Sequence, residues 1–245
     1  MKLFVIGCSF TEGQGLKNQS AEAYATKLGK KLKLEYFNYG AIGMSNDYIF
    51  RKIFELINSN VITKEDILII QWTHYMRKEL PIIHNGRKWY HTIPNSMHAY
   101  EDMIMHDLDG HKFAKGEHLN QNLGDDRIEI ESKNKKILEE YILKFINEDY
   151  QLNTTTNYIN SLYAYLEYFN YNHLHFFGWK QCIIKSVLQN KSNFLKETFA
   201  TYTNTSTNSY IASHPDKEGH ENWSDFLYEK ITSKIEIKRK IEKLI

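Results

Sequence analysis

The sequence predicts an α/β fold: three layers, α/β/α, around a mostly parallel sheet of about five strands. Two observations carry this. Short apolar runs of strand length recur along the chain, at Leu3-Phe4-Val5-Ile6, Leu34 to Phe37, Ile67-Leu68-Ile69-Ile70 and His173 to Phe177. Segments with apolar residues at helical spacing stand between them. Strands that are apolar on both faces and alternate with helices belong to parallel sheets covered on both sides.

Each element follows in order. The first run ends at Gly7. Ala21, Tyr24, Ala25, Leu28 and Leu32 then mark a helix over about 20–32, and Leu34–Phe37 is the second strand. A helix from about Asn46 presents Ile49, Ile53, Leu56 and Ile57, and the third strand, 67–70, ends at Gln71-Trp72-Thr73-His74. The pattern then changes. Two runs, 80–84 and 87–91, flank Asn85-Gly86, a strong signal for a two-residue hairpin turn with positive φ at both central residues. Residues 78–132 read as an insertion on the rim of a single domain spanning 1–245, because they hold too few periodic apolar residues for a core of their own. Ile137 to Phe145 and Tyr158 to Phe169 mark two more helices. The fourth strand is followed by Tyr210-Ile211, either a short fifth strand or an extended lead-in. A long helix from about Glu218 closes the chain, with a basic tail from Lys234 to Ile245.

Composition narrows the function. With 42% apolar and 25% charged residues the chain is an ordinary globular sequence, not a disordered one. A net charge of +1 gives no general attraction to nucleic acid or to an anionic membrane. Two cysteines, Cys8 and Cys182, make no disulfide framework and suit a reducing compartment. No apolar run approaches the roughly 20 residues of a membrane span. Val5-Ile6-Gly7-Cys8 imitates a lipidation site, but only Leu3 to Ile6 precede it where a leader needs about 7–15 apolar residues. These points place the chain in the cytoplasm. The basic tail reads as a solvated helix face or as a surface for self-association.

Ligands of parallel sheets bind at the carboxyl ends of the strands, and the conspicuous turns all fall there. The first, Gly7 to Gly13, lacks the Gly-Lys-Ser/Thr of a phosphate loop and the glycine spacing of a dinucleotide fingerprint. It can instead present Ser9 as a nucleophile, or Ser9 can be a turn and capping serine. Cys8 is the less favoured nucleophile, since neighbours at a strand end point to opposite sides. A serine needs a base, and Ser213-His214-Pro215 places a histidine before the last helix on the same rim. An oxyanion needs preorganised N–H donors. Gly43 N–H and Ser9 N–H are candidates, and a side chain after the third strand can supply another. Trp72, Thr73, Arg77, Trp89 and Tyr90 are candidates for a substrate wall. The insertion carries six histidines, and Asp107-Leu108-Asp109-Gly110-His111 has no recognised metal spacing. No metal or other cofactor is implied.

Taken together the turns resemble those of the SGNH or GDSL hydrolases. Gly7-Cys8-Ser9-Phe10-Thr11 resembles the first family motif with Cys8 in place of aspartate. Asn38-Tyr39-Gly40-Ala41-Ile42-Gly43-Met44-Ser45 resembles the second, Asn-x-Gly-x-x-Gly-x-Ser/Thr. His74 stands where the third motif has its oxyanion asparagine. Ile211-Ala212-Ser213-His214-Pro215 keeps the His-Pro of the last motif without its aspartate. The resemblance implies a flavodoxin-like fold and a serine hydrolase, an esterase or deacetylase on an acylated carbohydrate or other small ester. Ser9 would be the nucleophile, His214 the base, and Ser9, Gly43 and His74 the oxyanion hole. A carbonyl near Ile211, the Ser213 hydroxyl, Asp216 or a carboxylate of the insertion would then orient His214. Two rivals stand beside it: a non-catalytic glycan- or protein-binding module, which the missing aspartate and replaced asparagine favour, and an acyltransferase using the same residues.

Overall fold

A computed structural model describes residues 1–84, 87–93, 104–106, 112–113, 147–188, 191–207, 210–211 and 214–242. In chain order the elements are β1 (Leu3–Gly7), α1 (Ser9–Glu12), α2 (Gln19–Glu22), α3 (Tyr24–Leu32), β2 (Tyr36–Gly40), α4 (Asn46–Asn58) and β3 (Ile67–Trp72). Then come β4 (Lys78–His84), β5 (Arg87–Ile93), β6 (Ile104–His106), β7 (Lys112–Phe113), α5 (Glu148–Tyr168) and β8 (Asn172–Phe177). The last are α6 (Phe199–Thr207), β9 (Tyr210–Ile211), β10 (His214–Pro215) and α7 (Lys217–Glu242).

The central sheet is parallel, in the order β2-β1-β3-β8. Successive strand residues point to opposite faces, and the burial follows that alternation. Leu3, Val5, Ile67, Ile69, Leu174 and Phe176 pack with Tyr24, Ala25 and Leu28 of α3 and Trp223, Leu227 and Ile231 of α7. Phe4, Ile6, Leu68, Ile70, Trp72 and Phe177 pack with Ile49, Ile53 and Leu56 of α4 and Ile159, Leu162 and Leu166 of α5. Apolar residues on both faces of one strand therefore build two cores, and the molecule has three layers.

The sequence-based elements differ from the structure in instructive ways. The fifth sheet position is held by a parallel bridge from His175 to Phe194, whereas Tyr210-Ile211 pairs antiparallel with His214-Pro215 outside the sheet. The helix expected over 20–32 is broken at Ala23, whose ψ is 142°. There the Tyr24 N–H leaves the helical ladder and donates to His220 Nδ1 at 3.0 Å. Helix α6 carries no sequence signal, since its threonines are poor helix formers. It is supported locally: the Thr201 N–H donates to Thr198 Oγ1, and Thr203 Oγ1 donates to Phe199 O.

In the insertion β4 and β5 pair antiparallel across residues 85–86, and β6 and β7 extend them to a four-stranded sheet. Pro81 lies in β4, an edge strand, where its missing N–H is tolerated. The helix expected over 137–145 and the Asp107–His111 segment fall outside the described residues. Among the described residues no helix is long and apolar enough to cross a membrane.

Strand order decides where a site can form. The chain runs from β1 to β2 on one side and returns to β3 on the other. The carboxyl ends of β1 and β3 thus border the crevice where the connections diverge, the usual ligand position in such sheets.

Candidate active site

The turn after β1 is a single helical turn. Cys8 is its extended N-cap, Ser9 its first residue, and Gly13 closes it in the left-handed conformation at φ 91°. The Thr11 and Glu12 N–H groups close on Cys8 O, and Ser9 and Phe10 open the turn at the carboxyl end of β1. Ser9 is 3% exposed.

His214 arrives from the other end of the chain. The short β9–β10 pairing sets His214 opposite Ile211, and α7 begins three residues later. Its Nε2 lies 2.9 Å from Ser9 Oγ, within hydrogen-bond reach across 205 positions of sequence. The Phe10 ring packs edge-on against the imidazole with centroids 4.9 Å apart. Phe10 is fixed in turn by Trp179 and Phe199. Asp216, one candidate to orient His214, accepts the Gly219 N–H at 2.9 Å and so caps α7. Ser213 lies outside the described residues.

Gln71 holds the serine turn in place. Its Oε1 accepts from Thr11 N–H at 3.1 Å and from Thr11 Oγ1 at 2.6 Å, and its Nε2 donates to Cys8 Sγ at 3.0 Å. Cys8 is fully buried among apolar residues and bonded to this amide. Thr11 Oγ1 is also 2.8 Å from Tyr24 OH, whose ionisation burial pushes far up. The arrangement needs glycines on either side. A Cβ on Gly7 would stand 2.3 Å from Thr11 Oγ1, and one on Gly178 would stand 2.5 Å from Gln71 Nε2.

The turn after β2 is stitched to the serine turn. Asn38 Nδ2 donates to Thr11 O at 2.9 Å while its Oδ1 accepts the Gly40 N–H. Gly40 packs directly on the α1 backbone, where a Cβ would lie 2.4 Å from Glu12 N. Gly43 follows in the left-handed region at φ 74°, a conformation that favours glycine.

The loop after β3 is clamped by Asn46, the first residue of α4. Its Oδ1 accepts Thr73 N–H at 2.9 Å and its Nδ2 donates to Thr73 O at 3.0 Å. In this loop His74 Nδ1 accepts the Met76 N–H at 3.2 Å, so the neutral ring carries its proton on Nε2. Burial, and then the Arg77 charge, hold His74 below the usual histidine range, which keeps it neutral at pH 7. Trp72 is fully buried and donates Nε1–H to His175 Nδ1 at 3.1 Å, so it belongs to the core and not to an open wall. Arg77 lies over the Trp179 ring, 5.1 Å from its centroid. The β5 backbone carries Trp89 opposite Ile82 and Tyr90 opposite Pro81. Their side chains are outside the described residues.

Ser9 and His214 are therefore in contact, and Thr73, His74 and Arg77 share one loop at the adjoining strand end. Sequence reasoning missed Gln71, Asn46 and the Phe10–Trp179 ring pair. Gln71 had one signal: a lone amide in an otherwise apolar buried strand must find a partner. Among the described residues no three His, Cys, Asp or Glu side chains are grouped to hold a metal ion.

No known family profile and no curated protein matches the chain. Among solved structures it is similar to a Desulfitobacterium hafniense DCB-2 protein assigned to the lipolytic G-D-S-L family. The identity is 13% and the TM-score 0.49, over 93% of this chain and 98% of that one.

Proposed function

We propose that the chain is a serine hydrolase of the SGNH type, an esterase or deacetylase acting on an acylated carbohydrate or another small ester. The observation that carries this reading is the 2.9 Å contact between Ser9 Oγ and His214 Nε2 at the mouth of a parallel sheet. A buried serine within reach of an imidazole nitrogen is the pair that nucleophilic acyl transfer requires.

In this reading Ser9 Oγ attacks the acyl carbon and His214 Nε2 takes its proton. The carbonyl oxygen becomes an oxyanion held by the N–H groups of Ser9 and Gly43 and by His74 Nε2–H. Collapse of the intermediate breaks the ester C–O bond. The alcohol leaves with the proton that His214 returns, and the acyl group stays on Ser9. Water, deprotonated by His214, then attacks the acyl-enzyme, releasing the carboxylic acid and restoring Ser9. A sugar hydroxyl in place of that water would give acyl transfer by the same steps.

Labelling with a fluorophosphonate probe, together with p-nitrophenyl acetate turnover, tests this. Stoichiometric labelling that disappears in Ser9→Ala supports the hydrolase. An inert Ser9 with no turnover leaves the non-catalytic binding module as the reading.

A further inference from the structure

Arg77 has features that the dyad does not use. Its Nε and Nη1 are buried without a hydrogen-bond partner. Among the described residues its guanidinium makes no ion pair. Thr73 Oγ1, four residues earlier on the same loop, is buried and also without a partner. Buried donors without acceptors are rare in folded proteins, because desolvating them is costly. An arginine is an especially expensive group to leave this way, since it cannot shed its charge.

The surroundings fix these groups in the loop after β3 and connect them to the dyad through aromatic contacts. Asn46 fixes Thr73 through both backbone groups. The Arg77 N–H donates to His74 O at 3.1 Å, which ties the arginine to the residue proposed to face the oxyanion. The guanidinium lies over Trp179, Trp179 packs on Phe10 with centroids 5.2 Å apart, and Phe10 packs on His214. A chain of tilted and edge-on aromatic contacts thus links Arg77 to His214. The Trp179 face lets the guanidinium stay desolvated, and the Phe10 ring connects that face to His214.

We propose that Arg77, assisted by the Thr73 hydroxyl, binds an anionic oxygen group of the substrate, so that the preferred ester carries a carboxylate or a phosphate a short distance from its acyl carbon. This rests on the hydrolase reading for the words substrate and ester; the anion site itself does not. A guanidinium matches carboxylate and phosphate equally in charge and hydrogen bonding, and the Trp179–Phe10 surface supplies an apolar floor between anion and acyl group.

The test pairs turnover with binding. Turnover of 4-nitrophenyl hemisuccinate is compared with that of neutral 4-nitrophenyl butyrate in the wild type, Arg77→Met and Arg77→Lys. The wild type is expected to favour the anionic ester at least tenfold in kcat/KM. Arg77→Met loses that ratio, chiefly through KM, and Arg77→Lys retains part of it. Separately, the Ser9→Ala protein is titrated calorimetrically with monomethyl succinate and with methyl phosphate, with and without Arg77→Met. The tighter of the two names the anion. Binding that needs Arg77, alongside no turnover of any ester, upholds the anion site and removes the hydrolase reading. An anionic-to-neutral ratio and an anion affinity that both ignore Arg77 overturn the proposal. Circular dichroism of each variant, with the milder Arg77→Lys as a second measure, separates loss of binding from loss of fold.

Discussion

Gln71 and Thr11 form a two-point contact across the carboxyl end of the sheet, in which one amide oxygen accepts both the backbone N–H and the hydroxyl of the threonine. Thr11 is two residues beyond Ser9, so this contact sets the turn that aims the serine. Gln71→Leu removes the shared acceptor, although the Thr11 N–H still reaches Cys8 O at 2.9 Å and Thr11 Oγ1 still reaches Tyr24 OH at 2.8 Å. The expected cost is about 1–2 kcal/mol, since two hydrogen bonds of roughly 0.5–1.5 kcal/mol each are lost and neither group is left unpaired. Urea denaturation checks the stability. In the proposed reaction kcat falls more than KM rises, because the displaced group is the nucleophile and not a binding contact.

Gly40 leaves no room for a side chain against the serine turn. A Cβ there would meet Glu12 N at 2.4 Å and the Thr11 carbonyl carbon at 2.6 Å. Both are backbone atoms of the serine turn, and backbone yields less readily than a flexible side chain. Gly40→Ala is expected to cost about 3 kcal/mol, the upper end of overpacking penalties, and to move the Ser9 turn as a unit. Gly178→Ala clashes with the end of the Gln71 side chain at 2.5 Å, while the nearest backbone atom, Trp72 O, lies at an ordinary 3.5 Å. It should cost less in chemical denaturation, and a reversed order of the two variants would contradict this account of the packing.

These contacts show which parts of the molecule the sequence disclosed. Layering was legible because Leu3 to Ile6 and Ile67 to Ile70 are apolar on both faces, a pattern with few other uses in a packed α/β fold. Ser9 and His214 were legible because each sits in a short motif directly after a predicted strand or before a predicted helix. Gln71 and Asn46 were not, because their partners lie 60 and 27 positions away and no spacing rule joins them. Helix α6 was hidden for another reason: its capping by Thr198 and the burial of Phe199 outweigh the poor propensity of its threonines. The Ala23 break has the same character, since it depends on His220, 197 positions later in the chain.

Acid should unfold the protein through three buried histidines, one of which, His173, lies 3.1 Å from the Glu167 carboxylate. His175 Nε2 lies 2.9 Å from His173 Nδ1, and Trp72 donates to the other nitrogen of His175. Burial holds His175 well below the usual histidine range and takes His173 down to about 4. Burial, with the nearby His214, takes His220 down to about 3. Each folded value lies below the unfolded one near 6.5, so the unfolded chain binds more protons in acid. The stabilisation is complete above about pH 6.5 and is lost as pH falls toward 4 and below. The slope is about 1.4 kcal/mol per pH unit for each histidine that titrates only on unfolding. Urea midpoints at pH 7.5, 6 and 5 check this, and His173→Asn should flatten the dependence. Equal midpoints at all three would rule the mechanism out.

The clamp between Asn46 and Thr73 bears on the loop and not on the serine. Asn46→Ala leaves Thr73 N–H and O without their partners, both of them buried. Stability should fall by about 2–3 kcal/mol on the usual cost of orphaned buried groups. The Ser9 turn is held independently by Gln71, so fluorophosphonate labelling of Ser9 should persist in this variant while turnover declines. If labelling and turnover decline together, the two clamps are coupled, and the division of labour drawn here is wrong.

His74 separates an oxyanion donor from a packing residue. The Met76 N–H occupies its Nδ1, which leaves Nε2–H as the ring's donor. The ring stacks on Tyr75 with centroids 4.6 Å apart, a contact that any flat side chain of similar size would keep. His74→Phe therefore preserves the stacking and deletes the donor. In the proposed reaction it lowers kcat by about 10²-fold or more, the usual effect of losing one oxyanion contact, with little change in KM. His74→Asn restores a donor in place of the ring and is expected to recover part of the rate despite losing the stacking. The opposite ranking, with phenylalanine more active than asparagine, would show that His74 serves only to pack the loop against Tyr75.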